Sequence, residues 1–274
     1  MKKILVPTDF SEHAYNALKV ASQIAKKNGG EIILLHMLEL PHQGSDAVGS
    51  GHALPEIMLF KNSAIKKLED LMDDECLDGL QVSEVIQFEL AFDGIMKVSE
   101  KNGVDLIVMG SHGASGFKEM FIGSNAEKVV RNSEVPVLII KKESGEFNVD
   151  SFVFASDFTD EIKKPFSKVV DFANKFGAEL QLVMINTPSS FKPTHISEEI
   201  VSDFISNFKV DNYSINVYND VNVENGILNF ANYKNADLIG VCTHGRKGIS
   251  HFFNGSISED LVNHSKRPVV TFKI

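Results

Sequence analysis

Short runs of Ile, Leu and Val alternate along the chain with longer stretches in which apolar residues recur every three to four positions. KKILVPT and EIILLHML are runs of the first kind, apolar on both faces, as strands inside a covered parallel sheet must be. Between them Ala14, Leu18, Ala21 and Ala25 mark one face of a helix, with Ser11 placed to cap its start and Gly29 its end. The pattern then predicts a helix over 55–72, a strand over 82–88, a short helix over 95–102 and a strand over 105–109. A helix from Ser124 and a strand over 136–140 follow. Past residue 150 the alternation starts again: strand 152–155, helix 161–176, strand 179–185, helix 196–208, strand 214–218, helix 223–233. Strand 237–241, a helix from Ser256 and strand 269–272 complete it.

The second series is a copy of the first. TDFSE at Thr8 to Glu12 returns as SDFTD, and GGEIILLHML as GAELQLVMIN, both 148 positions later. VDLIVMGSHG returns as ADLIGVCTHG and VPVLIIK as RPVVTFK, both 132 positions later. The first copy therefore carries 16 extra residues, placed in the Gly- and Ser-rich segment PHQGSDAVGSGHALPE near residues 41–56. The seam falls at KKESGEFN, which divides the chain into domains 1–144 and 145–274. Strict alternation with short connections requires parallel strands, right-handed crossovers and helices on both faces. The expected fold is α/β: two tandem open, doubly wound, five-stranded parallel-sheet domains. Their apolar last strands, PVLIIK and PVVTFK, are expected at sheet edges, where they would pair within the chain.

Composition narrows the function. An apolar content of 43% and a charged content of 23% are those of a soluble globular protein. The net charge of −10 argues against general attraction to nucleic acid or anionic membrane. No apolar run reaches the length of a membrane span, and the N-terminus reads directly into a strand, so a cytoplasmic protein is expected. Cys76 and Cys242 lie far apart with no CxxC or Cys/His cluster, and His36, His42 and His52 show no ligand spacing, so no metal site is predicted.

Open parallel sheets bind ligands at the C-terminal strand ends, where the winding reverses. If the first strand lies beside the fourth, that crevice is walled by Pro7-Thr8-Asp9 and by the loop MGSHGASGFKEMFIGSNAEK. Gly110, Gly113 and Gly123 let the backbone turn sharply and bring N–H groups close to an anion. Ser124 with Glu127 fits a capping box, and a helix start favours bound phosphate. The same residues read equally as a phosphate loop or as a capped helix after a turn. Neither a Walker A sequence nor a Rossmann fingerprint is present. His112 and His244 are assigned to stabilising the glycine turns, and Ser115 lacks the surroundings of a hydrolase nucleophile.

G-x-x-G, nine residues, then G-S, together with VPTDFSE and VPVLIIK, resembles the universal stress protein family over essentially the whole chain, as a tandem two-domain member. The resemblance implies ATP, or AMP or ADP, in the first copy, with Mg²⁺ able to accompany ATP. It places Pro7, Thr8 and Asp9 at ribose and adenine, Met37 at adenine, and Met109 and Gly110 at the sugar and first phosphate. It places Gly113, Gly123, Ser124 and Asn125 at the phosphates. In the second copy Asp157, Gly245, Gly255 and Ser256 keep their places, but Cys242 replaces Gly110, and its side chain is expected to intrude on the ligand and weaken binding. The expected function is a nucleotide-binding stress regulator without catalytic residues. A slow ATPase using the same pocket and a nucleotide-free scaffold are the alternatives, and the chain could also form a homodimer.

Overall fold

The computed structural model describes residues 1–38, 53–113, 122–142, 145–244 and 257–274, with backbone alone at 53–56. In the first half the elements are β1 (Lys3–Thr8), α1 (Glu12–Asn28), β2 (Glu31–Met37), α2 (Ala53–Met72) and β3 (Gln81–Gln87). These are followed by α3 (Ala91–Asn102), β4 (Leu106–Gly110), α4 (Ser124–Asn132) and β5 (Val137–Ile140). The second half repeats the order with β6 (Ser151–Ala155), α5 (Lys163–Phe176), β7 (Glu179–Asn186), α6 (Thr194–Ile205) and β8 (Tyr213–Asn219). It closes with α7 (Val223–Tyr233), β9 (Leu238–Thr243), α8 (Ile257–His264) and β10 (Val269–Lys273).

Each half is a five-stranded parallel sheet, ordered β3-β2-β1-β4-β5 and β8-β7-β6-β9-β10. β1 has β2 on one side and β4 on the other, so the winding reverses between β1 and β4, and likewise between β6 and β9. The last strands pair antiparallel, with Val269 opposite Ile139 and Thr271 opposite Val137, making one ten-stranded sheet among the described residues. Each strand thereby satisfies its partner's outward backbone groups, which an exposed edge would leave open.

Two helical layers cover this sheet, and each is continuous across the seam. One packs α1, α2, α5 and α6 on Ile4, Leu34, Phe152 and Leu182; the other packs α3, α4, α7 and α8 on Leu5, Ile139, Val183 and Val269. The first layer differs between halves in side-chain size. Around α1 it is built from Ala, Leu and Ile, whereas Phe154, Phe166, Phe204 and Phe208 interlock beside α5 and α6 with ring centroids 4.8–5.4 Å apart. Polar contacts repeat about the seam: Lys141 Nζ donates to the Asn263 carbonyl (3.0 Å) and Lys273 Nζ to the Arg131 carbonyl (2.9 Å). The Arg131 Nε donates to Glu259 Oε1 at 2.6 Å, joining α4 to α8.

Helix α1 begins as the sequence predicts. Ser11 Oγ accepts from the Ala14 amide at 3.2 Å, and Gly29 ends the helix at φ 59°. The second copy departs at the same place. Thr159 makes no side-chain cap, residues Asp160–Ile162 form a 3₁₀ turn, and α5 starts only at Lys163.

Candidate functional site

The polypeptide leaves β1 through Asp9 and a Phe10 held at φ 64°, a left-handed conformation that costs a bulky residue energy unless its surroundings fix it. They do so here. Phe10 stacks on His36 with centroids 4.4 Å apart, Lys67 lies over its ring, and the Phe10 amide donates to Thr8 Oγ1. The His36 Nδ1–H donates to the Thr8 carbonyl at 2.8 Å, and burial pulls the imidazole below its ordinary value despite that bond. Asp9 Oδ1 accepts from the Ser11 amide at 3.0 Å, which fixes the carboxylate at the mouth of the reversal point.

Facing this turn across the strand ends is a crevice of about 360 Å³. All ten first-copy residues singled out by sequence surround it: Pro7, Thr8, Asp9, Met37, Met109, Gly110, Gly113, Gly123, Ser124 and Asn125. Sequence reading missed the wall residues outside the glycine loop, and did not single out Ser111, His112 and Ala126 within it as ligand contacts. Leu35, Ala91 and Ile95 form an apolar side, and Ser111, His112 and Ala126 line the polar side. The spacing of Ala91 and Ile95, four apart on α3, was the available signal. The Ser111 hydroxyl and His112 Nδ1 lie 2.9 Å apart, and the His112 ring is 5.2 Å from that of His13.

The start of α4 does not follow the predicted capping box. Gly123 is the cap residue, with φ −60° and ψ 142°, and Ser124 is the first helical residue, so its hydroxyl is not spent on the helix. The first intrahelical bond runs from the Glu127 amide to the Gly123 carbonyl at 3.0 Å. The amides of Ser124, Asn125 and Ala126 therefore precede the ladder and open on the crevice, at the positive end of the helix. The Gly123 amide itself donates to the Ser111 carbonyl at 2.7 Å, which clamps the two ends of the loop together.

Two glycines are required by the approach of protein to protein. A side-chain carbon on Gly110 would lie 2.7 Å from the backbone of His13 in α1, and one on Gly113 would lie 2.5 Å from Asp9 Oδ2. Gly110 lines the crevice, and its missing side chain also lets the first turn of α1 close onto β4. The second copy shows the converse. Cys242 occupies the matching strand end, and the turn at Glu161 beside it is 3₁₀, with the α-helix displaced to Lys163. Burial first, and then the charge of Asp157, push the Cys242 thiol upward, so it stays protonated and is no nucleophile.

Asp157 lines a separate second-half cavity of about 510 Å³, together with Cys242 and His244. His244 Nε2 lies 2.9 Å from Glu161 Oε2. The other second-copy candidates, Gly245, Gly255 and Ser256, fall outside the described residues, as do His42, His52 and Ser115. Among the described residues no three His, Cys, Asp or Glu side chains converge as a metal site, and no helix is long and apolar enough to cross a membrane.

A family model described as the Universal stress protein family matches residues 1–141 and 215–273. A universal stress protein of Methanocaldococcus jannaschii is 34% identical over 156 residues, 52% of this chain and 96% of its own length. A universal stress protein of Synechocystis is similar end to end, 21% identical over 299 residues and 100% of both chains. Among solved structures, a universal stress protein from Archaeoglobus fulgidus superposes with a TM-score of 0.74 at 24% identity, covering 99% of this chain and 96% of that one.

Proposed function

The chain belongs to the universal stress protein family, and on that premise we propose that it is a stress-response regulator that binds ATP or a related adenine nucleotide in the crevice of its first half. The observation that carries this reading is the start of α4. Three amides ahead of the helical ladder and an exposed Ser124 hydroxyl face the same crevice as Asp9, with the apolar Leu35, Ala91 and Ile95 opposite. A phosphate chain meets the helix start, where donors and the helix dipole favour negative charge. An adenine ring meets the apolar wall beside Met37, and the Asp9 carboxylate is positioned to accept from ribose hydroxyls. In this reading Mg²⁺ accompanying ATP would be held by phosphate oxygens and water.

Binding, not turnover, is the proposed chemistry. Phosphates held at the start of α4 would alter the surface offered to partners there. The test is to denature the purified protein and chromatograph the released small molecules, then titrate the emptied chain with ATP by calorimetry while following phosphate release. One equivalent of ATP bound without phosphate release is expected. Failure to retain or bind any adenine nucleotide would discard the proposal in favour of a scaffold, and release lost in Ser124→Ala would make the protein an ATPase.

A further inference from the structure

Of the two cavities at the strand ends, the larger among the described residues is in the half whose glycine signature is incomplete. In the first half the turn after β1 divides the space around the strand ends in two. The crevice lies on the α3/α4 side, and a separate recess of about 380 Å³, reaching Phe10, Tyr15, Lys67 and Leu71, lies on the α1/α2 side. In the second half a single cavity of about 510 Å³ spans both sides. It touches Val223 and Ile227 of α7 on one face and Ile162 and Ile200 on the other, passing Phe158 and Cys242. The 3₁₀ segment Asp160–Ile162 stands where the first half has a helical first turn, and Asp160, Ile162 and Cys242 line the same cavity.

Its chemistry differs as much as its shape. Beyond those residues the described walls include the apolar Met184, Ile185, Val241 and Ile274, with Asn186 and Ser190 among the polar ones, and against the apolar part a triphosphate would lose its water without gaining donors. Most charged groups at its rim are engaged. Asp160 pairs with Lys163 at 2.8 Å, His244 faces Glu161, and Asp157 accepts from the hydroxyls of Ser156 and Thr159, each at 3.4 Å. Lys192 is the exception: it lies at the rim, exposed, and its ammonium pairs with no carboxylate among the described residues. The volume is that of an ordinary small-molecule site.

We propose that this second cavity binds a small apolar carboxylic acid, its hydrocarbon body between Ile162, Ile200 and Ile227 and its carboxylate on Lys192. The two halves would then hold chemically unrelated ligands. The inference is independent of the nucleotide reading: a chain that took up the acid but no ATP would refute that reading and keep this one.

The test titrates the full chain with decanoate, below its micellar concentration, with and without saturating ATP. One equivalent of decanoate is expected, with an affinity that ATP does not change. Lys192→Gln, at an exposed position, should weaken decanoate about tenfold, as loss of one charge-assisted contact does. The same variant should leave the uncharged methyl decanoate unaffected. Ile200→Trp should abolish both by filling the cavity, and Lys192→Gln decides the matter if that variant fails to fold. The proposal is overturned by absence of saturable decanoate binding, by an unchanged decanoate affinity in Lys192→Gln, or by one-for-one displacement by ATP.

Discussion

The two strand-end sites are drawn from one repeated plan and differ where β4 or β9 meets the start of the helix that follows β1 or β6. Where the strand ends in Gly110, the backbone of His13 closes onto it, α1 starts at Glu12 with a Ser11 cap, and the crevice is smaller, with one apolar and one polar side. Where it ends in Cys242, the turn is 3₁₀, α5 starts at Lys163, and the cavity is larger and apolar. A glycine at a strand end can thus bear on a site in two ways, by lining it and by fixing how closely two elements pack.

The largest expected effect tests the polar half. Ser124→Glu puts a carboxylate where the phosphates are proposed to sit, at a helix start that tolerates negative charge. Calorimetry should show ATP affinity reduced at least about 100-fold by like-charge repulsion, with the melting temperature held or raised. ATP affinity that survives this change would move the nucleotide away from α4.

Converting the first half toward the second comes next. Gly110→Cys forces a side chain against the His13 backbone and should cost about 2 kcal/mol, read as a fall in Tm of roughly 4–8 °C. The reverse change, Cys242→Gly, removes a half-buried thiol and adds backbone freedom. It should cost about 1–2 kcal/mol and leave ATP binding unaltered. Loss of ATP binding in Cys242→Gly would show that the halves are not separate in function.

A smaller effect lies at the seam between them. Burial pulls the Lys141 ammonium down to about 8, while the unfolded side chain keeps its ordinary value of 10.5. Between these values the unfolded chain binds the extra proton, so stability should rise with pH across that window. Lys141→Met should flatten that rise in urea-unfolding midpoints measured from pH 8 to 10.5.

The smallest effect concerns His36. Its lowered value makes the neutral ring the folded form, so stability should fall as pH drops below 6.5, where the unfolded imidazole protonates first. His36→Gln should lessen that acid sensitivity. The position 148 residues on is Met184, so no equivalent acid response is expected from the second half.

The order of strands and helices was legible because parallel strands covered on both faces must be written as unbroken Val, Ile and Leu runs, and because the repeat states it twice. The candidate site was legible as a group of residues, since the reversal between β1 and β4 gathers Asp9 and the glycine loop however the details pack. What Gly110 does was not, because its neighbour His13 is nearly a hundred positions away and only the closed fold brings them together. Nor was the start of α4: Ser124 with Glu127 fits a capping box by spacing, yet Gly123 adopts the cap conformation and leaves the serine one position inside. The later helix start in the second half, at Lys163, is a shift that no local pattern around Thr159 announces.

The antiparallel pairing of β5 with β10 also bears on how such a chain can change over generations. Two separate identical copies meeting along this edge would share every substitution, so an alteration that suits one ligand site would be imposed on the other. Covalent linkage removes that constraint, and it holds the partners at an effective concentration that dilution cannot lower. One half can then drift toward new chemistry while its tethered twin preserves the old, and the seam needs only to go on matching.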